Sequence, residues 1–124
     1  MKLRIKGNTI RFRLTKSEVA YFSEKGMIKE TTNFITGDFS YGMQTSPNAS
    51  SITAGFTNNE IILTIPERQA KEWTGTNKVG LSEEMPIKDN KKLYILIEKD
   101  FKCLDETSED QSDNYANPLA DKLK

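Results

Sequence analysis

Two stretches of the chain, KLRIKGNTIRFRLTKSEVAYF and, 51 residues further on, TAGFTNNEIILTIPERQAKEW, share one pattern: apolar residues alternate around a two-residue polar turn and are followed by helical spacing. In the first copy Leu3 and Ile5 alternate with basic residues, Gly7-Asn8 can supply two positive-φ positions, and Ile10, Phe12 and Leu14 resume the alternation. Pairing across this turn sets Ile5 opposite Ile10, Leu3 opposite Phe12, Arg4 opposite Arg11 and Lys2 opposite Arg13. One face of the hairpin is then oily and the other cationic. Thr15 and Glu18 have capping-box spacing, Val19 and Phe22 lie one turn apart, and Gly26 suits a helix exit, so a short amphipathic helix follows.

The second copy keeps the oily face, with Ala54, Phe56, Ile61 and Leu63 in place of Leu3, Ile5, Ile10 and Phe12. Asn58-Asn59 replaces the turn, Pro66 opens the helix, and Ala70 and Trp73 replace Val19 and Phe22 as its core anchors. Two further extended segments follow each helix, at 27–35 and 39–44 in the first half and at 78–83 and 91–99 in the second. Residues 44–51, QTSPNASS, read as the linker. The predicted fold is α+β, with a mostly antiparallel sheet built from two tandem strand-strand-helix-strand-strand repeats and the helices packed on one side. A single domain is expected over residues 1–105, its halves spanning about 1–46 and 52–100, and an acidic tail over 106–124.

The copies differ on the face turned away from the core. Lys2, Arg4, Lys6, Arg11 and Arg13 in the first correspond to Thr53, Gly55, Thr57, Ile62 and Thr64 in the second. Like charges directly opposite one another destabilise a strand pair by roughly 0.2–1 kcal/mol. The row therefore calls for solvation, with basic stems lying over their neighbours, or for an anionic counterpart. Charge segregation along the chain offers an internal one. Residues 1–30 carry eight bases against three acids, and residues 100–124 seven acids against three bases, although the whole chain is neutral with 18 of each sign. An external anion is the other choice, and arginine's planar fork suits carboxylate or phosphate. These five cations are the candidate anion-binding residues.

Other chemistry is poorly represented. No histidine occurs, so the most used general base and the commonest zinc ligand are missing. Cys103 is the sole cysteine, which excludes an internal disulfide and a cysteine-rich zinc site and reads as a structural thiol. The tail's DQSDNYANP does not fit a calcium loop, which leaves Asp105, Asp110 and Asp113 as weak metal candidates. Tyr115, Pro118 and Leu119 are apolar enough for part of the tail to dock. No cofactor is implied. Apolar runs such as IILTI and LYILI fall far short of a membrane span and no apolar signal core opens the chain, so a cytoplasmic protein without membrane contact is expected.

The combination of MKLRIKGNTIRFRLTKSEV, AKEWTGTNKVGL and LIEKDFKCLDETSEDQSDNYANP resembles a family of small uncharacterised bacterial proteins, a domain of unknown function, over nearly the whole chain. That resemblance implies a bacterial cytoplasmic protein and no assigned activity. A more distant similarity is to the triphosphate tunnel enzymes, whose duplicated antiparallel strands line a basic tunnel. Their opening strand alternates two glutamates with a lysine, whereas this chain has Lys2, Arg4 and Lys6 and so lacks the metal-binding glutamates. The leading expectation is a non-enzymatic binding or interaction domain whose basic hairpin meets its own tail, an anionic small molecule or an acidic protein segment. The alternative is a metal-dependent phosphohydrolase that binds phosphate or nucleotide with the same arginines. Nucleic acid is disfavoured, because no surface aromatics interleave with the bases and Phe12 belongs to the oily face.

Overall fold

Alternation becomes pleat in a computed structural model, which describes residues 1–101, 113 and 115. In chain order the elements are β1 (Lys2–Lys6), β2 (Thr9–Leu14), α1 (Lys16–Lys25), β3 (Met27–Phe34) and β4 (Gly37–Ser46), then β5 (Thr53–Thr57), β6 (Glu60–Pro66), α2 (Glu67–Gly75), β7 (Gly80–Pro86) and β8 (Lys92–Lys99). The duplication is structural: each half is a hairpin, a helix and a second hairpin. The linker is shorter than its composition suggests, because β4 runs on to Ser46.

The halves interlock. One sheet has the order β1-β2-β8-β7 and the other β3-β4-β6-β5, so each joins a hairpin from one half to a hairpin from the other. Pairings within hairpins are antiparallel, while the central ones, β2 with β8 and β4 with β6, are parallel. Each helix carries the chain from one sheet to the other, α1 from β2 to β3 and α2 from β6 to β7, so the parallel partners are brought together by the packing of the two halves and not by a single crossover helix. The four hairpin turns consequently gather at one end of the molecule and the two helices at the other.

Each helix is defined by local chemistry. In α1 the Thr15 N–H donates to Glu18 Oε1 at 2.9 Å in the expected capping box, and Gly26 ends the helix at φ 73° with its N–H on the Phe22 carbonyl at 2.8 Å. Pro66 stands immediately before α2 as its N-cap residue. The two turns are made differently: Asn58 and Asn59 both have positive φ (51° and 61°), whereas in Gly7-Asn8 only Gly7 does (55°). Glycine at the first central position is sufficient for a tight hairpin, so Asn8 is free to use its side chain, which donates to the Lys92 carbonyl at 2.8 Å.

The core lies between the sheets and under the helices. Phe12, Leu14, Met43, Leu63, Ile65, Ile95 and Ile97 are fully buried, and Phe12 meets Tyr41 of the facing sheet edge to face at 5.9 Å. At the helical end Phe22 and Trp73, equivalent residues of the two copies, pack together with ring centres 6.4 Å apart. Along one side the sheets are tied by polar contacts. The Met1 ammonium pairs with Glu18 and Glu30, and Tyr41 Oη lies 3.0 Å from both Met1 O and Glu30 Oε2. Burial, helped by the Glu30 carboxylate, pushes the Tyr41 hydroxyl up to about 12.

Candidate functional site: a basic sheet face

The register of the first hairpin is Lys2 with Arg13, Arg4 with Arg11 and Lys6 with Thr9, which puts all five cations on the outer face of the sheet. Leu3, Ile5, Ile10 and Phe12 take the inner face. The rows continue across β8, where Thr9, Arg11 and Arg13 stand beside Tyr94, Leu96 and Glu98. They end on β7 at Glu84, Ser82 and Gly80. Charge therefore grades across this face from basic at β1 to neutral and acidic at β7.

Three of the cations meet carboxylates from the end of β8. Arg11 Nε donates to Glu98 Oε1. Arg13 Nη2 lies 3.1 Å from Asp100 Oδ1, and Lys2 Nζ lies 3.2 Å from Asp100 Oδ2. Asp100 is almost completely buried. Its backbone N–H donates to the Leu14 carbonyl and its own carbonyl accepts from the Tyr115 N–H, both at 2.8 Å. A buried carboxylate is stable here because it is paired with two cations and held by the backbone on either side.

Arg4 and Lys6 differ. Both are exposed, and neither has an ion-pair or hydrogen-bond partner among the described residues. With Thr9, Arg11 and Leu96 they line a shallow depression of about 180 Å³. The guanidinium forks, an ammonium and a threonine hydroxyl around it are donors for carboxylate or phosphate oxygens. The corresponding face of the second copy, around Gly55 and Ile62, has no such charge.

Asp105 and Asp110, with Cys103, Pro118 and Leu119, lie outside the described residues. Asp113 sits at the start of α1, where its carboxylate accepts from the Ser17 N–H at 3.1 Å and the Ser17 hydroxyl at 2.5 Å, and its carbonyl accepts from the Lys16 N–H at 3.0 Å. Such a carboxylate satisfies helix donors that have no partner within the helix. No group of three or more metal-ligating side chains occurs among the described residues. Tyr115 does dock: it bridges to Phe101, with ring centres 5.6 Å apart, and its ring lies under the Lys99 and Lys16 ammonium groups at 5.6 and 5.9 Å.

Hydrogen bonds from Ser17, then from Thr15, hold the Asp113 carboxyl below its ordinary value of 3.8. A depressed acid contributes stability above its unfolded value, and that contribution is lost as pH falls through the lower folded value. Carbon-detected NMR should find the Asp113 carboxyl titrating below 3.8, with the Tyr115 amide moving towards its unfolded position over the same range. A midpoint at or above 3.8 would show that the anchor does not hold.

Asp100 and Glu98 are the site residues that sequence reasoning missed as partners of the hairpin. Asp100 was grouped with the acidic C-terminal region, although its two-residue spacing from Glu98 marks both as one face of a strand. No helix is long and apolar enough to cross a membrane among the described residues. The sequence profile of a family of unknown function (DUF7009) matches residues 1–119. No curated protein and no solved structure matches the chain.

Proposed function

The chain belongs to the DUF7009 family of unknown function, and we propose that it is a non-enzymatic binding domain that captures an anionic partner on the outer face of β1 and β2. The observation carrying this reading is the incomplete neutralisation of the face. Glu98 and Asp100 answer Arg11, Arg13 and Lys2, while Arg4 and Lys6 remain exposed beside a depression that has no carboxylate among the described residues lining it. Arg4 is directly opposite Arg11, so an incoming anion relieves a repulsion as well as forming new bonds. A shallow, solvent-facing site of this kind favours salt-sensitive capture of a charged group over enclosure of a substrate.

Labelled hexaglutamate and tripolyphosphate are suitable probes. Binding should weaken with added salt and fall about tenfold or more in the Arg4→Glu, Lys6→Glu double variant. Lys25→Glu with Lys71→Glu, on the helices, should leave it unchanged. Equal binding by all three proteins, or none by the wild type, contradicts the reading. Release of phosphate from tripolyphosphate with magnesium would favour a phosphohydrolase instead.

A further inference from the structure

Among the described residues, the strand bearing Arg4 and Lys6 is also the end of its sheet, and the backbone groups that have no partner there can be identified. Along β2, the Leu14 carbonyl accepts from Asp100 and the Asn8 carbonyl from Tyr94, so the even-numbered residues there direct their backbone groups towards β8. The odd-numbered residues, Thr9, Arg11 and Arg13, therefore bond to β1, and their register partners Lys6, Arg4 and Lys2 point inward to them. Leu3 and Ile5 are left with N–H and C=O groups directed out of the sheet and without a partner among the described residues. The Met1 carbonyl, of the same parity, is already met by Tyr41.

The edge presents different chemistry above and below. Arg4 and Lys6 stand on the outer face. On the inner face Ile5 is 56 % exposed and borders an apolar mouth of about 420 Å³ between the sheets, lined also by Ile10, Phe39, Ala54, Phe56 and Ile61. This mouth opens at the end carrying the hairpin turns. It straddles the repeat, since Ile5 and Ile10 face their counterparts Phe56 and Ile61.

We infer that β1 is a docking edge for an extended acidic segment of a partner protein, which adds as a fifth strand with carboxylates alternating with apolar side chains. The inference rests on the anion-binding reading above and specifies its partner. Residues two apart on an added strand share a face. Acidic residues at that spacing meet Arg4 and Lys6, while the residue between them covers Ile5 and enters the mouth. Leu3 and Ile5 supply the backbone bonds, and the side chains select the sequence. Basic residues on an edge also oppose pairing with a second copy, because its own cations would be brought alongside. The edge is thus closed to itself and complementary to the opposite charge.

The test uses the full chain and three labelled peptides: alternating Glu-Val, a block peptide of the same composition, and the alternating peptide with N-methyl groups on the backbone face that would pair. Amide hydrogen exchange is read at Leu3 and Ile5. The expected result is that the alternating peptide binds about tenfold or more tightly than the block peptide, slows exchange at both amides, and loses binding on N-methylation. Equal affinity for all three peptides with exchange at Leu3 and Ile5 unchanged overturns strand addition and leaves the anion-binding face intact. Failure of every acidic probe overturns both. Protection of these amides on concentrating the protein alone would assign the edge to a second copy and overturn the inference.

Discussion

Trp73→Ala should destabilise the protein by about 4 kcal/mol, the effect expected for deleting a large aromatic side chain from a closed core. Trp73 is fully buried at the point where the interlocked halves meet. Its ring packs on Phe22, its indole N–H donates to the Val79 carbonyl at 3.1 Å, and the Lys99 ammonium lies 6.0 Å from its ring centre. Lys99 is itself buried, with its ammonium on the Thr76 carbonyl at 2.8 Å, and burial lowers its affinity for a proton. Removing the indole therefore opens a cavity and takes away one of the two aromatic faces over which that charge rests. Urea unfolding with an unchanged slope would report the loss cleanly. A change below about 1 kcal/mol would mean that the helical end is not the joint between the halves.

Asp100→Asn should act in opposite directions on stability and on binding. The substitution leaves Arg13 and Lys2 facing a neutral amide inside the fold. Breaking a buried ion pair by removing one partner destabilises by about 3–5 kcal/mol. The lower end, about 3 kcal/mol, is expected here because the Arg13 and Lys2 side chains are 32 % and 48 % exposed and can turn towards water. The same change releases Arg13 from its carboxylate on the outer face, so affinity for hexaglutamate should rise. Measuring both quantities on one variant separates a structural ion pair from one that also limits the charge available to a partner. A variant that is less stable and binds the peptide no better would show that Arg13 takes no part in capture.

The repeat was legible because its signals are local. Thr15 with Glu18, the Asn58-Asn59 turn, and the alternation of Leu3, Ile5, Ile10 and Phe12 are each confined to a short stretch, and each is realised in the fold. Strand partnering across the sheets was not legible. Val19 and Phe22 against Ala70 and Trp73 show that two similar units exist, but not that β8 crosses to β2 and β4 to β6. Parallel central pairs are formed by residues far apart in sequence, and apolar strands such as IILTI and LYILI satisfy several arrangements equally well at the level of pattern. The candidate site divides in the same way. Its five cations follow from period-two alternation, whereas the pairing of Lys2, Arg11 and Arg13 with Glu98 and Asp100 depends on β8 lying beside β2. Asp113 as a partner of Ser17 was hidden for a related reason, since a helix terminus can be satisfied by a distant carboxylate as readily as by a neighbouring one.

The central claim is that one sheet face carries cations left free for a partner. Titrating hexaglutamate into the isotopically labelled full chain and following the arginine Nε–Hε, lysine and backbone signals tests it most directly. The account predicts that the largest shifts fall on Arg4, Lys6, Thr9 and Arg11, and that in Asp100→Asn they extend to Arg13. Shifts centred on the helices or on the β7 edge, or no shifts at all from the folded protein, would contradict it.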